Sequence, residues 1–161
     1  MSLENQASIG ETISGAGVLI SLVFLILEIR NNTRALQAQT FHNLTQNSLG
    51  MLAQVYQDEN LLDFVIRVVS GDSFESDADQ LRRRTYLVAM FRHFDNTLTQ
   101  RDSGVLSAEQ WTVYETSIRE WVKHAAIRKW VSENQGAFSQ RFHIEFLRLA
   151  AEEAAKAEAA D

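Results

Sequence analysis

The chain has no cysteine and no proline. The first absence excludes disulfides, thiolate metal sites and a cysteine nucleophile. The second removes the residue that most sharply ends helices, so long uninterrupted helices are open to this sequence. Basic side chains are also in the minority: 15 Lys and Arg stand against 21 Asp and Glu, a net charge of −6. A broad non-specific nucleic-acid surface needs a basic footprint, and this balance argues against one. The one basic run, Arg82-Arg83-Arg84, lies in a helical pattern with Asp77 and Asp79 close by and reads as a solvated helix face. Neither an alternating strand pattern nor an internal repeat occurs. A chain of 161 residues then fits one all-α domain with room for an appended segment.

Present in unusual concentration is a single apolar run over residues 13–27, with Ile13, residues 18–20 and residues 22–27 as its strongly apolar members. Such residues favour bilayer insertion by roughly 3 to 6 kcal/mol in total, before Ser and Gly reduce it. The run is about 22 Å long as a helix, short of a ~30 Å hydrocarbon core. Extending it over residues 9–29 reaches that length and sets Glu11 and Glu28 near the two interfaces. A cleaved signal peptide fits poorly, because Glu4 and Glu11 precede the run with no Lys or Arg, and no small-x-small cleavage site follows. Arg30 and Arg34 hold the C-terminal side in the cytoplasm by the positive-inside rule, leaving the acidic N-terminus outside. The expectation is a single-pass transmembrane helix followed by an antiparallel helical bundle. The competing reading buries residues 13–27 in the core of a soluble bundle.

One face of this helix carries Gly10, Ser14, Gly17, Ser21 and Glu28, all near one line at 100° per residue. Small residues at that spacing let helices approach closely in lipid, so Gly10, Ser14, Gly17 and Ser21 are a candidate helix–helix interface. Membrane lipid and either a second copy or another protein are the expected partners. A second reading makes Ser14, Ser21 and Glu28 the lining of a narrow ion path, since carboxylates in membrane helices often mark ion routes.

The remaining organisation follows from caps and periodicity. Residues 1–30 form the expected anchor, 31–150 a helical cytoplasmic domain, and 151–161 a solvated Ala/Glu-rich tail. No Pro or Gly interrupts the chain between Val18 and Leu49, so the first helix could continue far beyond the bilayer. Asn31-Asn32-Thr33 is the one local signal for a kink, and Leu36, Phe41, Leu44, Leu52 and Val55 are packing positions beyond it. Asp58 caps a short helix with Leu61, Leu62, Val65, Ile66 and Val69 on its apolar face. Ser76 opens a helix to about Arg101 with Leu87, Phe91, Phe94 and Leu98 as its core stripe, ended by Gly104. Ser107-Ala108-Glu109-Gln110 is a capping box, followed by Trp111, Tyr114, Ile118, Trp121 and Ala125 at helical steps. Asn134-Gln135-Gly136 breaks the segment carrying Ile127, Trp130 and Val131, and Ser139 caps a last helix with Phe142, Phe146 and Leu149.

Templates for catalysis and cofactors fail. No phosphate loop, dinucleotide fingerprint, H-E-x-x-H or G-x-S-x-G occurs, so no catalytic residue, cofactor or metal is expected. Glu120 and His124 stand one helical turn apart and read as a surface contact; His42 and His143 have no carboxylate placed for a role. His93, Asn96 and Gln100 share one side of their helix and form, with Glu28, the candidate polar residues. They would either orient a ligand or bond a neighbouring helix.

The segment Glu28-Ile29-Arg30-Asn31-Asn32-Thr33-Arg34-Ala35 resembles a Glu/Gln-Ile-Arg-x-Asn-Thr-x-Ala signature that ends the apolar N-terminal helix of a group of small bacterial single-span membrane proteins of unknown function. Phe91, Phe94, Asn96, Gln100, Gly104-Val105-Leu106, Trp111, Trp130 and Phe138-Ser139 are similar to later parts of the same group. The likeness covers about residues 10–150 and departs where proline often marks helix ends in that group. It implies a bacterial inner-membrane anchor with a helical cytoplasmic domain and supplies no activity. The leading expectation is thus a membrane-anchored, non-enzymatic helical module that self-associates or binds a protein. A small homo-oligomeric channel and a soluble ligand-binding bundle or enzyme stay open beside it.

Overall fold

The computed structural model describes the backbone of residues 3–159 and the side chains of residue 15 and residues 17–159. Within them the fold is all-α, with six α-helices, one 3-10 turn and no strand. Helix α1 runs Leu3–Gln57, α2 Glu59–Ser70, α3 Asp77–Asp102, α4 Ala108–Val122 and α5 Ala125–Glu133. The 3-10 turn Gln135–Ala137 leads into α6, Gln140–Glu158. Two compact units divide the chain, Met1–His42 and Asn43–Asp161.

Local chemistry sets the helix starts. The Asp58 carboxylate accepts from the Asn60 and Leu61 amides at the head of α2. Ser76 accepts from the Asp79 amide and donates to the Asp79 carboxylate at the head of α3. Ser107 and Gln110 close a reciprocal capping box on α4, and Ser139 accepts from the Phe142 amide on α6. Each cap satisfies an amide that the first helical turn leaves without a partner. Helix α2 ends on Gly71 in the left-handed conformation, φ +82°.

In the second unit, α4 packs against α6 and α3, and α2 against α5, making a helical bundle. Phe91 of α3 is its centre, with no exposed surface. Its ring lies 5.6 to 6.2 Å from those of Phe94, Trp121, Trp130, Phe138, Phe142 and Phe146. Edge-to-face and tilted pairs dominate, the geometries that the aromatic quadrupole favours. The expected stripe Leu87, Phe91, Phe94 and Leu98 is buried throughout, as are Trp111, Tyr114 and Ile118.

Other expectations need correction. Asn31-Asn32-Thr33 does not break α1; the Thr33 hydroxyl donates to the Ile29 carbonyl and the helix continues. Leu36 and Leu52 are exposed, and the inward line of α1 in the second unit is Leu44, Ser48, Met51 and Val55. On α2 the buried residues are Phe64 and Val68, while Leu62 and Ile66 face outward. Phe64 decides that orientation by pairing edge-on with Phe74 and Tyr86. Ala125 opens α5 and is exposed, leaving Val122 as the last buried residue of α4. Residues 151–158 are exposed apart from half-buried Glu152 and Glu153, in keeping with a solvated tail, but they belong to α6 and do not form a separate segment.

Two glycines separate backbone strain from crowding. A Cβ at Gly71 would stand 2.9 Å from that of Ala126, whereas at Gly104, φ +73°, it would meet nothing within 4 Å. Gly104→Ala should cost only the left-handed conformation, about 1–2 kcal/mol. Gly71→Ala should cost clearly more, because α2 and α5 must also separate. Urea unfolding of the two variants side by side checks this; equal losses would remove the role given to the Gly71–Ala126 approach.

Candidate functional site

Of the candidate interface, Gly10 and Ser14 lie outside the described side chains. Gly17 has open space around it, and the Ser21 hydroxyl donates to the Gly17 carbonyl at 2.8 Å, within its own helix. Serine bonding of this kind satisfies the hydroxyl without a partner chain. Glu28 is exposed. From residue 18 to residue 29 every large apolar side chain is 49 to 67% exposed. Leu19, Ile20, Val23, Phe24 and Leu27 line one shallow apolar depression along the helix surface. The described part of residues 13–27 is therefore surface in this chain, not core. Among the described residues no helix is long and apolar enough to cross a membrane. Their apolar stretch, residues 17–29, spans about 20 Å, and the rest of the expected span falls on residues 9–14 and 16, outside the described side chains.

The second polar group does not form one cluster. Asn96 and Gln100 lie 3.5 Å apart on the exposed side of α3. His93 turns elsewhere, its Nε2 standing 2.9 Å from Ser48 Oγ of α1. Ser48 spends its own hydrogen on the Leu44 carbonyl, so it accepts from His93 Nε2–H. The Phe94 and Tyr114 rings flank the imidazole, and burial holds His93 below its usual pKa range. Glu28 belongs to the other unit. Asp95, beside these residues in sequence, accepts from both the amide and the hydroxyl of Ser139, fixing the start of α6 on α3.

A larger arrangement escaped sequence reasoning. Arg119 of α4 bonds Glu115 on its own helix at 2.6 Å, Glu152 at 2.7 Å and Glu153 at 2.9 Å on α6. Arg148 joins Glu145 and Glu152, while Arg101 of α3 bonds Asp102 and Glu145 and lies 4.4 Å over the Trp111 ring. The Trp111 indole N–H donates to Glu115 at 2.8 Å. Each acid has a cation: Arg148 and then Arg101 hold Glu145 below the usual carboxylate range against burial, and Arg119 does the same for Glu152. Hydrogen bonds that it donates to Glu152, Glu115 and Glu153 hold Arg119 firmly protonated. The network clamps α3, α4 and α6 together.

The Arg82-Arg83-Arg84 run is largely solvated, as expected, with Arg82 and Arg84 exposed and Arg83 half-buried. No ion pair joins it to Asp77 or Asp79 among the described residues. Instead Arg82 lies 4.5 Å over the Phe64 ring and Arg83 5.6 Å from the Phe74 ring. Glu120 pairs with Lys123 rather than His124. No group of His, Asp and Glu able to hold a metal occurs among the described residues. Comparison with protein-family models, curated proteins and solved structures finds no match for the chain.

Two pH windows follow. His93 has a lowered folded-state pKa against 6.5 unfolded, so its contribution to stability is complete above ~6.5 and is lost as pH falls toward the folded value. The depressed carboxylates act lower, their contribution present above ~4.3 and lost as pH falls through their folded values. Stability measured against pH should decline in two steps, and His93→Gln should remove the upper step alone. An unchanged upper step in that variant would assign it to another group.

Proposed function

We propose that this protein is a membrane-anchored helical module that works by association rather than catalysis, with the N-terminal half of α1 as its anchor. The observation that carries the reading is the exposure of residues 18–29 around the whole circumference of the helix. A helix in water ordinarily hides its apolar side chains along one stripe; one apolar all round needs an apolar surrounding. Arg30 and Arg34 follow the run at once, in the position that favours retention on the cytoplasmic side. The resemblance of residues 28–35 to the exit signature of bacterial single-span proteins supports the same reading. The charged side chains that join α3, α4 and α6 are paired with one another, which fits a structural role for them.

Fractionation tests the anchor. The intact protein should stay in the membrane pellet after alkaline carbonate washing. Phe24→Lys adds a charge costing about 2.5–3.5 kcal/mol at a helix centre, comparable with the whole apolar gain of the run. That variant should move largely into the wash while keeping its helical circular dichroism. Recovery of the unmodified protein in the aqueous fraction, without detergent, would end the anchor reading.

A further inference from the structure

Residues 35–57 contain no Asp, Glu, Lys or Arg, although Glu28, Arg30 and Arg34 precede them and the chain that follows is densely charged. In the second unit this uncharged length has two faces. Leu44, Ser48, Met51 and Val55 turn inward, while Gln46, Leu49, Gly50, Ala53 and Tyr56 lie opposite them and are exposed, Leu49 by 52% and Tyr56 by 81%. An outward helix face normally carries the charges of its helix, as on α4 and α6. Depletion of charge, with aromatic and aliphatic side chains in its place, is the composition of an interface centre.

We propose that this outer face of α1 docks a second copy of the same chain, the two helices lying parallel about a two-fold axis. Charge selects the occupant. Two copies of an acidic chain repel wherever like charges meet, and this face sets no charge against its own image. It is self-complementary in chemistry as well. On a parallel two-fold each residue meets its counterpart, and the Gln46 amide, both donor and acceptor, can bond an identical amide. Leu49 meets Leu49, and Gly50 and Ala53 let the backbones approach. An acidic or basic partner would find no counter-charge here. A face of four turns falls short of the ~800 Å² per partner of a standard interface. The inference therefore rests on the anchor reading, because copies held in one bilayer meet at a raised effective concentration and in one orientation.

The absence of native cysteine makes the test direct. Single cysteines are placed along residues 45–57 of the full chain in its membrane and oxidised mildly. Disulfide-linked dimer should peak at Gln46→Cys, Leu49→Cys and Ala53→Cys. It should fall about tenfold at Asn47→Cys and Gln54→Cys on the flanks, and at Val113→Cys on α4. Adding Leu49→Lys to Ala53→Cys should abolish the dimer without altering helical content. Flat cross-linking along α1, or dimer through Gly17→Cys alone, would overturn the pairing face and leave the anchor standing. So would linkage to a different protein in place of a second copy. A chain that enters the aqueous fraction yet keeps the periodic pattern would support the face and remove only the anchor.

Discussion

The bundle depends on the burial of Phe91. Six aromatic rings contributed by α3, α4, α5, the turn before α6, and α6 itself surround that one side chain. Rings of fixed shape admit few mutual arrangements, so the helices carrying them are fixed in rotation as well as in distance. The chain connections are adapted to this constraint. Asp95 sits one turn beyond Phe91 on α3 and takes both donors of Ser139, the N-cap of α6. The start of α6 is thus registered on α3 within a turn of the aromatic centre, where Phe142 and Phe146 must enter. The Arg92 Nε–H donates to the Ala137 carbonyl in the preceding turn and reinforces the same junction.

Outside the rings, the bundle is closed by charge. Arg101, Arg119 and Arg148 between them hold Asp102, Glu115, Glu145, Glu152 and Glu153. Isolated surface ion pairs contribute little, since two long side chains must be immobilised for one contact. Here each arginine serves several acids, so the ordering cost is shared, and Glu145 and Glu153 are largely covered. The network also explains why α6 outlasts its apolar residues. Past Leu149 no large apolar side chain remains to bury, and the helix stays ordered to Glu158 beside Arg119.

What the sequence revealed and what it concealed divide along sequence separation. Asp58, Ser76, Ser107 and Ser139 announce their helices because each cap is written within four residues. The stripes on α3 and α6 were legible for the same reason, since periodicity is local. The network was hidden because Arg119 finds Glu152 and Glu153 more than thirty residues away. Ser48 and His93, 45 residues apart, were equally invisible as a pair. On α2 two apolar faces were available, and Phe74 and Tyr86 chose Phe64. Arg82 and Arg83 also lie over rings, contacts that no charge pattern displays.

Helix α1 obeys a different economy from the rest of the chain. Helices of the bundle stabilise themselves locally with caps and with pairs such as Arg119–Glu115 and Arg148–Glu152. Residues 35–57 possess no such ion pairs, because they contain no Asp, Glu, Lys or Arg. A helix without local ionic support must take its stability from contact along its length. In the second unit, Leu44 and the Ser48–His93 bond supply part of that contact. A surface that gives up solvating charge and local pairing together is costly to leave in water and inexpensive to bury. That asymmetry, more than any single apolar residue, sets α1 apart from the helices of the bundle.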